Sequence, residues 1–348
     1  MKDKQKRIVC DFCEHRCSLA DGQTGVCGIR TRRGDRIETV NYGEHISLAV
    51  DPVEKKPLYH VFPGGKALSS ALYGCNFRCA FCQNSTISQP KLFRSLSTKY
   101  VGPSELAGKL NREGYPIAAF TYSEPTVWQD YMIDAAREVK RVGGYTAMVT
   151  NGFFTEEALE RMVPYIDAFN IDLKGDEDFY RRLCGGHLEP VLRNIKALAG
   201  GSALAGASAG AGGSVSSTQP APDRAPVLEV TTMVMEGEHT EDGVVAMGKL
   251  LDEAGVQVWH LSAFYPAYKM QDHAPTSPET LDRIYHRVST ETKIPHIYAF
   301  SRRHARYQQT FCSHCGSLCI DRKGFALEKN YLDGGRCRSC GTKMYGLF

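Results

Sequence analysis

The chain has 348 residues, 42% of them hydrophobic and 23% charged, enough for one large core with smaller appendages. A net charge of +3 does not by itself imply a nucleic-acid partner, and the basic stretches 30–36 and 301–306 read as solvated faces. No run of eighteen apolar residues occurs and none follows the charged opening MKDKQKR, so neither a membrane span nor a secretory leader is expected, and the expected location is cytoplasmic.

Thirteen cysteines would suit disulfides in a small secreted domain, but in a chain of this size metal binding explains them better. The first cluster is Cys10, Cys13, Cys17 and Cys27, spaced C-x2-C-x3-C-x9-C within an expected N-terminal module over 1–60. Its spacing does not choose between zinc and a second iron–sulfur cluster, although Gly22, Gly25 and Gly28 suit a tight zinc knuckle. The apolar run ALSSALYG (67–74) predicts a strand leading into Cys75, Cys79 and Cys82, spaced C-x3-C-x2-C. Iron–sulfur cubanes and structural zinc sites normally take four protein ligands. Three thiolates on one short loop can hold three irons of a 4Fe-4S cluster and leave the fourth open to a small molecule.

IAAFTYSEPT (117–126) predicts the next strand, followed by a helix with Trp128, Tyr131, Met132, Ala135, Ala136, Val139 and Val142 on one face, Thr126 as its cap and Gly143 as its end. Further strands are expected at 145–152, 166–175, 227–235 and 256–264. Six βα units are too few for a complete eight-stranded barrel. The expected fold is therefore α/β, a partial (β/α)6 barrel over 61–300 with its site at the C-terminal strand ends. Residues 200–226 are almost wholly Gly, Ala, Ser and Pro and read as a flexible insertion. Cys184 stands alone, as a packing residue or a hydrogen-atom donor. His260 is a candidate to line the site, and Tyr265, Tyr268 and Lys269 to contact substrate. In the last module, 301–348, Cys312 and Cys315 are followed by Cys337 and Cys340, two C-x2-C knuckles that predict a zinc ribbon, with Cys319 as a packing thiol.

The cysteine trio on a loop after the first barrel strand resembles the radical S-adenosylmethionine (radical SAM) superfamily. The aromatic Phe81 adds to the likeness, and CAFCQN resembles the C-x-x-C-H-N of glycyl-radical-enzyme activases, with Asn84 matching and Gln83 in place of His. The resemblance implies a 4Fe-4S cluster on Cys75, Cys79 and Cys82, SAM on its open iron, and reductive cleavage to a 5′-deoxyadenosyl radical that abstracts hydrogen from substrate. It implies flavodoxin or ferredoxin as electron donor. TYSEP (121–125) occupies the place of the superfamily's Gly-Gly-Glu motif, making Ser123 and Glu124 candidates for the SAM amino group. TNG (150–152) and DLK (172–174) resemble activase strand ends, so Thr150, Asn151, Asp172 and Lys174 are candidates for the ribose and carboxylate. Val149 stands where activases usually have Asp, which leaves a bound monovalent cation without its ligand. Including both cysteine-rich ends, the chain resembles the radical SAM member of the AmmeMemoRadiSam system, which implies Memo-like and AMMECR-like partners but no substrate. A glycyl-radical activase is the alternative within this class. From another class comes a zinc-ribbon protein that binds nucleic acid or modifies RNA, although no RNA-binding module or interleaved aromatics accompany the charge.

Overall fold

Aliphatic and β-branched runs that alternate with one-sided helices bury both faces of a sheet when its strands run parallel under helical cover. The computed structural model describes residues 7–200, 225–300 and 304–348, and residues 201–224, nearly all of the expected insertion, lie outside the described residues. The central sheet comprises β1 (Glu44–Pro52), β2 (Lys66–Leu72), β3 (Lys99–Tyr100), β4 (Ile117–Phe120), β5 (Tyr145–Thr150), β6 (Ala168–Asp172), β7 (Val227–Val234), β8 (Val258–Ala263) and β9 (His296–Ala299). Their order is β9-β8-β7-β6-β5-β4-β2-β1-β3. From β2 to β9 every neighbouring pair is parallel. β1 and β3 add an antiparallel edge.

Each of the six strands read from the sequence is present, and β9 joins them as a further parallel strand. β1 falls within the stretch 1–60 yet pairs along β2 in the central sheet. Strand β4 is shorter than its sequence suggests, because Tyr122 adopts φ 69 and turns the chain out of the sheet just after it. The helix after it begins later too. Glu124 accepts a hydrogen bond from Thr126 N at 3.0 Å and caps a 3-10 turn, Pro125–Trp128, so α2 runs Gln129–Arg141 from Trp128, with no side-chain cap from Thr126 or any other residue. Gly143, at φ 78, ends it as expected. α1 (Pro103–Glu113), α3 (Glu156–Met162), α4 (Leu188–Ala199), α5 (Glu241–Glu253) and α6 (Pro278–Glu291) follow their strands in turn, the last two opened by Thr240 and Ser277 caps. Their apolar faces bury Trp128, Phe169, Trp259 and their neighbours completely. No helix among the described residues is long and apolar enough to cross a membrane.

Two hairpins form the N-terminal end, Ile8–Val9 with Ser18–Leu19 and Arg30–Arg33 with Arg36–Thr39. The C-terminal end is a three-stranded antiparallel sheet of Thr310–Phe311, Leu318–Lys323 and Ala326–Asn330. It is bonded back to the segment between β1 and β2: Phe62 N donates to Leu347 O, and Leu347 N to His60 O, both at 2.7 Å. Arg322, almost fully buried, donates to Tyr59 O and to Thr310 Oγ1 and lies 3.5 Å from Glu54 Oε1.

Candidate active site

The C-terminal ends of the parallel strands open onto a cavity of about 550 Å³. Every residue that the sequence assigns to the cluster or to SAM, from Cys75 to Lys174, lines it, and so does His260. Tyr265 is at its rim, whereas Tyr268 and Lys269 are outside the lining.

The cysteine loop is held from behind by backbone pairing. Arg78 N donates to Cys184 O at 2.7 Å, Ala80 N to Leu183 O at 2.8 Å, and Lys269 N to Ala80 O at 2.9 Å. Cys184 is fully buried close to Cys79, and this neighbouring thiol, reinforced by burial, pushes the Cys79 pKa well above the usual thiol range. Phe77 N donates to Cys75 Sγ at 3.4 Å, and Asn151 Nδ2 lies 3.9 Å from the same sulfur while donating to Asn76 Oδ1 at 2.7 Å. Phe81 packs on Phe179 with ring centres 5.5 Å apart. A β-carbon at Gly186 would overlap the fully buried Phe77 ring. Gly186→Ala is expected to lower stability by about 1–3 kcal/mol, as overpacking does. Thermal melting checks this, and an unchanged midpoint would mean that the loop yields freely.

Beyond the loop, successive strand ends are tied to one another. Glu124, 2% exposed, accepts from Thr150 Oγ1 at 2.7 Å and from Asn151 N at 2.8 Å, in addition to Thr126 N. Burial raises its pKa against these hydrogen bonds. Ser123 Oγ donates to Leu72 O and accepts from Trp128 Nε1 at 3.0 Å, and Asn84 Nδ2 donates to Tyr122 O at 2.9 Å. Lys174 Nζ pairs with Asp172 Oδ2 at 2.8 Å. Burial disfavours its charge, but Asp172, Cys79 and Cys184 outweigh this and raise its pKa.

Sequence reasoning missed two polar groups of the cavity. Lys56, 2% exposed, donates to Asp51 Oδ2 at 2.7 Å; Lys55 donates to Asp51 Oδ1 at 2.8 Å, and Tyr122 and Ser69 donate to the same carboxylate. Burial works against the Asp51 charge, yet these donors hold its pKa below the usual carboxylate range, while burial lowers that of Lys56. Lys55 and Lys56 precede a proline in a polar stretch and read as surface charge, so no signal in the sequence marks them. The second group joins His260, whose Nε2 donates to Glu229 Oε2 at 2.6 Å. Glu229 is fully buried and also accepts from Tyr59 N and His60 N at 2.9 and 2.8 Å. Its period-two place in β7 predicts burial, but nothing in the sequence pairs it with a histidine on the next strand.

At the C-terminal end, the sulfurs of Cys312, Cys315, Cys337 and Cys340 all lie within 4.8 Å of one another, close enough to surround a single ion. Among the described residues no other three His, Cys, Asp or Glu side chains gather in this way. The cysteine trio and the N-terminal quartet are therefore both more widely spread. Cys319 is buried beside this site.

The chain is 32% identical over 345 residues to the uncharacterized protein MJ0808 of Methanocaldococcus jannaschii, covering 97% of this chain and 95% of that one, so the two belong to one family. It is 28% identical over 110 residues, 30% of this chain and 38% of the other, to the putative glycyl-radical enzyme activating enzyme MJ1632 of the same organism. Among solved structures, SuiB of Streptococcus suis aligns with 11% identity and a TM-score of 0.48 over 72% of this chain, which spans about half (51%) of SuiB. The profile of the Radical SAM superfamily matches residues 70–200, the segment that carries the end of β2, the cysteine loop and the strand ends tied together by Glu124. The loop and the strand ends on which the cavity is built are thus the part of the chain that is similar to the Radical SAM superfamily.

Proposed function

We propose that this is a radical SAM enzyme in which Cys75, Cys79 and Cys82 hold a 4Fe-4S cluster and the neighbouring strand ends hold SAM. The observation that carries this reading is the convergence of three thiols at C-x3-C-x2-C spacing, spread too widely for one ion, on the cavity that also collects Glu124, Thr150, Asn151, Asp172 and Lys174. When bound, the cluster and SAM supply a 5′-deoxyadenosyl radical that abstracts hydrogen from a substrate. The residues of the chain position and shield. Burial and the neighbouring Glu124 push the Cys75 pKa well up, and the N–H groups that Asn151 and the Phe77 amide aim at its sulfur work against that rise. Glu124 holds Thr150 and Asn151 in place through its carboxylate. The Lys174 and Asp172 pair offers opposite charges to the carboxylate and hydroxyls of SAM. Phe81 and the stacked Phe300 and Phe325, 4.9 Å apart at the rim, exclude water. The sheet then forms the wall of a partial barrel, a flavodoxin or ferredoxin supplies the electron, and the C-terminal thiols hold zinc. The motifs quoted at both ends support membership of the AmmeMemoRadiSam system, with Memo-like and AMMECR-like proteins as partners.

Anaerobic reconstitution with iron and sulfide, followed by dithionite and SAM, is expected to yield 5′-deoxyadenosine. If a reconstituted cluster binds SAM and none forms with any low-potential reductant, the reading fails. The likeness to a putative activating enzyme favours one narrower reading, activation of a glycyl-radical enzyme. It requires a glycine-centred doublet by electron paramagnetic resonance when a partner is added.

A further inference from the structure

The N-terminal quartet sits directly against the cysteine loop. Cys13 pairs as an isolated bridge with Phe154, His15 Nε2 lies 2.8 Å from Asn76 O, and the His15 and Phe77 rings flank Phe153 with centres 5.1 and 5.0 Å from it. Asn76 follows Cys75 in the chain, so His15 and Phe153 stand between the N-terminal module and the cysteine loop.

The hairpin bond Cys10 N to Cys17 O, 2.9 Å, sets those two residues side by side, and Gly25 packs on the Cys17 sulfur, leading the chain on to Cys27. Cys13 lies within electrostatic reach of the other three. Cys10, Cys13 and Cys27 are buried. The four cysteines therefore lie near one another, but no three of their sulfurs come within 4.8 Å of one another, as those of the C-terminal quartet do. Four thiolates on one zinc ion, each about 2.3 Å from the metal, are held by the tetrahedron within about 4 Å of one another. Thiolates bound to separate irons at the corners of a cubane stand further apart. In this respect the N-terminal quartet matches the cysteine trio and differs from the zinc-like set in the same molecule. Arg30, 3% exposed, acts electrostatically on both Cys10 and Cys27, and its Nε is a buried donor without an acceptor, the kind of group that bridging sulfides would satisfy.

We propose that Cys10, Cys13, Cys17 and Cys27 bind a second iron–sulfur cluster, not zinc, and that it relays electrons to the cluster at Cys75, Cys79 and Cys82. A low-potential one-electron donor reduces the N-terminal cluster, which returns to its oxidised state as the electron passes inward; no bond forms or breaks. The relay rests on the proposed reading of the trio, whereas the N-terminal cluster itself does not.

The full-length chain and its C75A/C79A/C82A variant are reconstituted anaerobically and analysed for iron and zinc, with Mössbauer spectra and electron paramagnetic resonance after reduction. The wild type should hold about eight irons and the variant about four. Adding Cys10→Ser and Cys13→Ser should remove the remaining iron without loss of the C-terminal metal. In the fully reduced wild type, the two signals should broaden each other, and an unbroadened sum of independent signals would overturn the relay. A wild type with only four irons and a second zinc per chain, the iron vanishing with the trio, would overturn the N-terminal cluster without any need for the Cys10 and Cys13 variants to fold. Equal iron in wild type and trio variant would support the N-terminal site and overturn the reading of the trio.

Discussion

Alanine at Cys75, Cys79 and Cys82 together should reduce SAM-dependent formation of 5′-deoxyadenosine to background and remove about four irons per chain, while the fold and the C-terminal metal persist. Persistence of the fold follows from how the loop is held. Its anchors, Arg78 N to Cys184 O and Ala80 N to Leu183 O, are backbone bonds that substitution of the thiols leaves alone. The trio lies at a cavity wall, and the sheet below it packs through Leu68, Leu72 and Phe120. A single replacement is the weaker experiment, because the Cys184 thiol lies close to Cys79. Cys79→Ala is therefore expected to retain part of its iron, and Cys79→Ala with Cys184→Ala to lose it. Iron analysis and chromatographic assay of deoxyadenosine on the same preparations decide the matter. Full turnover by the triple variant would show that the trio is not the site of cleavage.

Arg322→Ala should cost about 3–5 kcal/mol, the usual penalty for leaving a buried charge without its partner. The guanidinium, with no exposed side-chain surface, reaches Tyr59 O and Thr310 Oγ1 and stacks 4.5 Å from the Tyr59 ring centre. Glu54, 1% exposed, keeps Gly64 N as donor at 2.7 Å but loses the guanidinium that faces it. Burial already raises the Glu54 pKa, and Arg322 opposes that rise, so the variant raises it further. The sign of the pH dependence follows. A carboxyl whose folded pKa exceeds its unfolded value contributes stability below the unfolded value and loses it as pH climbs through the folded one. The variant should thus lose more stability near pH 8 than near pH 5, and Glu54→Gln in the same chain should flatten the difference. Denaturant titration at the two pH values measures both, and a loss independent of pH would assign the effect to packing alone.

The sequence is most informative where periodicity and burial coincide. Val227–Val234 and Val258–Ala263 are apolar runs with few alternatives, and each is a strand. His296–Ala299 carries only four residues and a histidine, too short a pattern to stand out, and becomes β9 through pairing with β8. Boundaries drift where side chains compete with the backbone: Glu124 caps a 3-10 turn that contains Thr126, and the helix starts only after it, without a side-chain cap. The cysteine loop and the TNG and DLK strand ends are legible because their chemistry is local in sequence. Glu229 with His260, and Asp51 with Lys56 and Tyr122, are not. Glu229 meets His260, and Asp51 meets Tyr122, only through long-range pairing, and Lys56, although five residues from Asp51, is a buried lysine with the same letter as a solvated one.

The bonds from residues 60–62 to residues 345–347 join segments 285 positions apart. Such closure carries a high loop entropy and comes late in folding, after the strands between have paired. The mouth of the cavity, which Phe325 and Tyr59 help to wall, is consequently among the last parts to assemble. During biosynthesis the cysteine loop, on the N-terminal third of the chain, emerges and pairs well before that wall exists. Metal delivery thus has an interval in which the thiols are presented but the chamber is still open, and a step that hastens closure would compete with loading.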